Sequence, residues 1–372
     1  MNKTRFLAAI TLLAFAHAEA APAHSDEGAV TPKAISFPFS YIGEIMGNPT
    51  GGERRGAVYT GLLSIGVAGD LGQLAGWEGA SFLVSAVYPH GPSLTDRYVN
   101  AFNEISSIEA YNSIRLCEAW LQQEFADGKF SIRLGQILVD EEFFASENAN
   151  LFINSVFGAL PLVCQNFFVP VYPYATPGVR VRYTASESFS IQAGVFADGP
   201  AGDFTRNKHG FDWHLNRDGV LAIAEAAYTR NGSVYKLGCF YQSRETETRA
   251  NAGGYIVIDQ KLWCKPGTDE QGLNGFLRIG GASNNRNIVP FYCDAGFHYR
   301  GLIPCREKDC AGIGVSFTRL NKHQHDSPHR ETIVEATYSM QIKEWIAVQP
   351  DIQYIRQPNA LVVGIRVSLT FE

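Results

Sequence analysis

The sequence predicts an all-β fold: a transmembrane antiparallel β-barrel of about sixteen strands, with short periplasmic turns and long extracellular loops. Three observations predict it. The chain closes on Leu361 to Phe371, where Leu361, Val363, Ile365, Val367, Leu369 and Phe371 alternate with Val362, Gly364, Arg366, Ser368 and Thr370. A period of two puts one set on each face of a strand, and about eleven residues is the length at which a tilted strand crosses a bilayer. The connections between strand-like segments sort by length, short and long in turn. Beyond the N-terminus no run of about 18 apolar residues exists, so helical spans are absent, whereas a barrel never builds a strong hydropathy peak. A soluble sandwich could own the last strand but has no reason to sort its loops.

The first residues read as an export signal. Lys3 and Arg5 make a positive start, Phe6 to Ala16 is apolar, and Ala18-Glu19-Ala20 offers a small-residue cleavage site. Residues 1–20 are therefore assigned to a signal peptide, 21–35 to a flexible lead and 36–372 to the barrel. The net charge is −6, and removing Lys3, Arg5 and Glu19 deepens it, which argues against a nucleic-acid partner. The seven cysteines are too few for a disulfide scaffold in a chain this long, and the odd number leaves at least one unpaired.

In chain order, the strands are expected near 36–46, 55–69, 77–89, 110–125, 129–140, 177–186, 188–198, 219–230, 233–243, 252–264, 271–282, 290–300, 311–319, 331–340, 345–356 and 361–371. Ala126-Asp127-Gly128, Ala185-Ser186-Glu187 and Arg230-Asn231-Gly232 read as periplasmic turns. The links 90–109, 141–176, 199–218 and 320–330 are long and read as extracellular, while 301–310 is longer than a periplasmic turn should be. An even strand number returns the C-terminus to the periplasm. Loop 141–176 carries its own apolar run, Leu151 to Phe157, and is expected either to fold inward and narrow the channel or to cap the rim or a subunit interface.

Alternation also assigns faces, because the lipid face must be apolar and the lumen can be polar. Phe130, Ile132, Leu134, Val179, Val181 and Tyr183 are expected outward, and Ser131, Arg133, Arg180 and Arg182 inward. Glu225-Ala-Ala-Tyr228 and Glu335-Ala-Thr-Tyr338 share a pattern that points each glutamate inward and each tyrosine outward. Gln349, Asp351, Gln353 and Arg366 face inward by the same rule, as do Glu118 and Trp120 with Gln122 and Glu124. Trp77 reads as an interfacial anchor. His323, His325 and His329 cluster in one external loop without matching acidic or thiol ligands, so no metal or other cofactor is expected. Cys305 and Cys310 flank a periplasmic turn and could close a disulfide or stay free.

Several stretches together resemble one family. They are Asn48-Pro-Thr-Gly-Gly52, Asp70-Leu-Gly-Gln-Leu-Ala-Gly-Trp77 and Arg115-Leu-Cys-Glu-Ala-Trp-Leu-Gln-Gln-Glu-Phe125. Next come Leu134-Gly-Gln136 with Glu142-Phe143, Leu151-Phe-Ile-Asn154, and Tyr172-Pro173 with Pro177-Gly178. Gly254-Tyr-Ile-Val-Ile-Asp-Gln260, Gly301-Leu-Ile-Pro-Cys-Arg306 with Asp309 and Gly312-Ile-Gly314, and Gln349-Pro-Asp-Ile-Gln-Tyr-Ile355 complete the set. In this order and spacing the chain, from about Tyr41 to Phe371, resembles the carbohydrate-selective porins of the OprB type. The resemblance implies a sixteen-stranded barrel of the bacterial outer membrane that lets sugars, monosaccharides above all, diffuse passively into the periplasm. It also implies charged side chains along a narrow channel, matched here to Arg133, Arg180, Arg182, Glu118, Glu225 and Glu335. Two departures are the end on Phe371-Glu372 rather than on an aromatic, and the cysteine content.

A sugar pore needs planar donors and acceptors to replace water at the hydroxyls, and flat apolar surface for the ring. Arginine and carboxylate side chains supply the first, and Trp120 could supply the second; Asp351 and Arg366 join them as channel-lining candidates. Inward charges could equally brace the wall. The expected partners are small carbohydrates and outer-membrane lipid, with the oligomeric state open, a homo-oligomer included. The alternatives are a general diffusion porin without sugar preference and an outer-membrane barrel enzyme. No G-x-S-x-G elbow is present, so an enzyme is not expected.

Overall fold

The computed structural model describes residues 34–371 except 167–168, 198–206, 213–218, 244–250, 269, 284–286 and 322–328. Residues 1–20, expected to be a signal peptide, most of the expected lead, His323, His325 and Glu372 lie outside the described residues. Sixteen antiparallel strands close into a barrel. They are β1 (Phe39–Thr50), β2 (Gly56–Asp70), β3 (Ala80–His90), β4 (Arg115–Phe125), β5 (Phe130–Ile137), β6 (Thr176–Ser186), β7 (Phe189–Ala197) and β8 (Val220–Arg230). The others are β9 (Ser233–Ser243), β10 (Asn251–Cys264), β11 (Gly272–Ala282), β12 (Phe291–Arg300), β13 (Cys310–Arg319), β14 (Arg330–Lys343), β15 (Ile346–Ile355) and β16 (Ala360–Phe371).

Each strand pairs with its sequence neighbours, and β16 closes on β1 from Leu361↔Thr50 to Phe371↔Phe39. Closure removes the unpaired edges that a bilayer would leave without hydrogen-bond partners. Val363, Ile365 and Phe371 are exposed on the outer face while Arg366 is buried inside, as alternation requires. The first strand starts later than expected, at Phe39, and the fourth at Arg115 rather than 110. A two-residue segment, Ile35–Ser36, pairs with the end of β2 instead of joining β1.

At one end the turns are tight. Asn231 and Gly232 both have positive φ (52° and 76°), the two-residue geometry whose twist matches antiparallel strands. The turn after β6 is Glu187–Ser188, because β6 runs on to Ser186. The link between β2 and β3 holds a helical turn, α1 (Leu71–Ala75), capped by Asp70 and ended by Gly76 at φ 71°, with Trp77 half-exposed beside it. The long 301–309 turn is pinned rather than loose: Asp309 accepts from Arg306 Nε (2.7 Å), the Tyr338 hydroxyl (2.7 Å) and the Gln341 amide (3.0 Å). Cys305 and Cys310 are free thiols there; Cys310 turns inward to within 3.0 Å of His298 Nδ1 while Cys305 is exposed. No helix is long and apolar enough to cross a membrane among the described residues.

At the other end, the segment between β5 and β6 folds into the barrel. It contains α2 (Val139–Glu142), a short turn Ala149–Leu151, α3 (Ser155–Gly158) and α4 (Pro161–Cys164). Phe143, Phe144, Phe152, Ile153, Val156, Phe157, Leu160 and Leu162 are all buried. They pack on inward side chains of the wall, among them Phe196, Ile223, Tyr255, Phe276 and Tyr292. Inward glycines make room: a Cβ at Gly312 would lie 2.6 Å from Leu151 Cδ2, and one at Gly280 2.4 Å from Leu162 Cδ2. The lumen is therefore a packed core on this side, not a water-filled tube.

Candidate channel constriction

Two internal segments meet inside the barrel: the inserted loop 138–175 and the loop 91–114. Ser107 N donates to Ile153 O at 2.8 Å, and Ser155 N to Glu104 O at 3.2 Å. Both are clamped by charged and polar side chains of the wall. Glu335 accepts from the Ile153 and Asn154 amides (2.5 and 3.0 Å) and Glu225 from the Phe144 amide (2.8 Å) and the Tyr255 hydroxyl (2.9 Å). Asp259 holds Ser146 Oγ at 2.5 Å and the Glu147 amide at 3.2 Å. Glu331 holds the Phe102 and Asn103 amides (2.7 and 3.1 Å). Arg278, wholly buried and paired with Asp294, donates to the Val156 and Gly158 carbonyls at 2.8 and 2.7 Å. A loop without regular structure leaves amides and carbonyls over, and buried ones must find partners; here the wall supplies them.

A second cluster sits where β4, β5 and β6 face α2. Glu142 pairs with Arg133 and with Arg180 (2.9 Å) and lies 3.9 Å from Arg182. Gln122 Oε1 accepts from Arg133 Nε (3.0 Å) and Arg180 Nη2 (2.8 Å). The Arg133 guanidinium lies 3.8 Å above the Trp120 ring, so that flat face is already occupied. Cation–π stacking explains the position of both.

Between the loops and the wall β6–β9 lies a cavity of about 1220 Å³. The wall contributes Arg182, Gln192, Glu225 and Lys236; the loops contribute Asp96, Glu104, Glu109, Asp140, Glu141, Glu142 and Glu147, with Tyr111, Tyr172 and Tyr174. Arg182 donates to Gln192 Oε1 at 3.0 Å and keeps a third of its side chain exposed. Lys236 Nζ donates to Ala145 O at 2.8 Å. Burial pushes the Glu109 carboxyl up to about 7 and the Asp140 carboxyl up to about 6, and raises Glu104. Glu141 is raised well above the carboxylate range by burial, reinforced by Glu118 and Asp140.

All nine residues singled out from the sequence face inward, but only Arg182 and Glu225 reach this cavity. Arg133, Arg180, Glu118, Glu335, Asp351 and Arg366 are buried under the loops, and Trp120 under Arg133. Arg366, for example, pairs with Glu44 and reaches the Ser106 and Ser107 hydroxyls of loop 91–114 at 3.2 and 3.3 Å. Asp351 accepts from Gln353 Nε2 at 2.9 Å, beside Glu335. The sequence reading missed Asp259, Arg278, Asp294, Glu331, Gln192 and Lys236. A signal for the clamps was present: the inward rows of β8–β14 mix charges with Ile223, Phe240, Tyr255, Val257, Phe276, Tyr292 and Ile333. Apolar side chains on both faces of a barrel strand mean that something other than water fills the lumen there.

A family model described as carbohydrate-selective porin, OprB family, matches residues 54–371. The chain belongs to that family. It is an outer-membrane porin of the carbohydrate-selective class. The porin is 24% identical to Porin B of Pseudomonas aeruginosa over a gapped alignment of 404 positions, covering 91% of this chain and 88% of the relative. It is 24% identical over 368 residues to the putative porin QuiX of Acinetobacter baylyi, covering 84% and 83%. Its fold matches the high-pH structure of Pseudomonas putida OprB with a TM-score of 0.83 at 23% identity, over 91% of this porin and 94% of that chain.

Proposed function

We propose that small neutral sugars, monosaccharides among them, cross this porin passively through the cavity between the two internal loops and the β6–β9 wall. The observation that carries the reading is the division of that cavity. Guanidinium, amide and ammonium donors stand on the wall beside the single carboxylate of Glu225, and the other carboxylates stand on the loops. A sugar hydroxyl both donates and accepts, so a surface divided in this way replaces its water partners from two sides. Arg182 and Glu225 touch the solute in this reading, and Tyr111 and Tyr172 offer ring faces in place of Trp120. Arg133, Arg180, Glu118, Glu335, Asp351 and Arg366 position the loops that form the passage. Contacts stay weak, because a site that holds its solute tightly does not conduct. The chain works as a channel and not as an enzyme, with outer-membrane lipid around its exposed apolar face.

Liposomes carrying the purified protein test this. Swelling should be faster in glucose than in gluconate, a charged solute of similar size. Equal rates would favour a general porin without sugar preference, and no swelling would remove the pore itself.

A further inference from the structure

We propose that the outer face of β13–β15 carries a binding site for a phosphorylated glycolipid of the outer leaflet. On each of these three neighbouring strands an outward apolar row ends, towards the long-loop side, in an arginine. Ile313, Val315 and Phe317 lead to Arg319, Ala336 and Val334, past Thr332, to Arg330, and Ile352 and Tyr354 to Arg356. All three arginines are exposed, and none is in an ion pair among the described residues. The flanking strands carry no charge at this height: Phe291 stands opposite Arg319 on one side, and Leu361 opposite Tyr354 on the other.

The register brings the three together. Arg319 and Arg330 are direct cross-strand partners, which places their Cβ atoms about 5 Å apart. Arg356 N donates to Thr332 O at 2.9 Å, so its side chain is the diagonal neighbour of Arg330. Like charges directly across a ladder repel, and among the described residues no carboxylate pairs with these guanidinium groups. A phosphate oxygen cluster neutralises three such forks with paired hydrogen bonds. The end of the barrel that carries the long loops faces the cell exterior, so the arginines stand at the headgroup level of the outer leaflet with the apolar rows below them at acyl-chain depth. Charge above and grease below match a lipid phosphate rather than a free anion.

The test is native mass spectrometry of the protein in dodecyl maltoside, titrated with diphosphoryl lipid A. A one-to-one adduct is expected, weakened on the order of a hundredfold by the combined substitutions Arg319→Gln, Arg330→Gln and Arg356→Gln. Lys308→Gln, at the opposite rim, should bind as the unaltered protein does. Heat-dependent gel migration reports whether each variant barrel has folded. A second arm needs no variant: the unaltered protein should bind dephosphorylated lipid A far more weakly than the diphosphoryl form. Equal binding of the two lipids, equal loss in Lys308→Gln, or undiminished binding by the folded triple variant overturns the site. Displacement of the lipid by an equimolar amount of inorganic phosphate overturns lipid as the ligand.

Discussion

Glu335 and Arg182 illustrate two uses of one sequence feature. Each is a charged residue at an inward position of a membrane-crossing strand, and alternation alone treats them alike. Glu335 is fully buried and holds two loop amides; Arg182 keeps a third of its side chain open and lines the cavity. The same division runs around the barrel. On β10–β14 the charges hold loop backbone or the side chains that do, and on β6–β9 the wall borders the cavity. The inserted loop decides which is which, because it covers most of the wall and leaves one side bare. An inward charge in such a barrel is therefore a scaffold residue until the loops are placed.

The largest effect should come from breaking the deepest clamp. Arg278→Ala leaves buried Asp294 without its cationic partner and the Gly158 carbonyl without its donor, with the Tyr292 hydroxyl alone left to Val156 O and Asp294, at a cost of about 3–5 kcal/mol. Thermal unfolding should come at lower temperature, and single-channel conductance should rise as the loop leaves the wall. Glu335→Ala removes both acceptors of Ile153 and Asn154 and should cost about 3 kcal/mol, with the same two signatures in milder form. If either variant keeps the parent's conductance and melting temperature, the loop does not depend on these clamps.

Arg182→Ala sharpens the other half of the comparison. Glucose-driven swelling should fall roughly three- to tenfold while the melting temperature stays within about 1 °C of the parent, since no buried partner is orphaned completely. Unchanged flux would remove Arg182 from the solute path. The smallest effect concerns pH. Burial raises Glu109 to about 7 and Asp140 to about 6, so both are largely neutral in acid and ionise as pH rises through that window. Reversal potentials should show cation preference growing by a factor of roughly two between about pH 5 and 8. The sign for stability is opposite: the docked loops bind these protons more tightly than an unfolded chain does, so stability falls over the same rise. A cation preference that grows in acid would contradict the placement of these carboxylates.

Legibility followed the physics of each signal. Arg133, Arg180, Glu225, Glu335, Gln349, Gln353 and Arg366 were placed on the correct face, because a charge exposed to lipid is too costly to tolerate. Asp259, Arg278 and Asp294 were passed over, since they stand in rows whose neighbours are apolar and look lipid-facing on both sides. Alternation makes Trp120 only a candidate for the flat ring surface, and the fold shows Arg133 lying on it.

What the sequence by itself determined is the barrel: strand number, direction, closure of β16 on β1, and the face of charges such as Arg133, Arg180, Glu225 and Glu335. Backbone hydrogen bonding and the bilayer leave alternation only one solution, and that solution is local. Only the tertiary structure decided which charges meet a solute. That depends on where loops 91–114 and 138–175 come to rest, through contacts such as Ile153 to Glu335 between residues 182 positions apart, which no local pattern encodes.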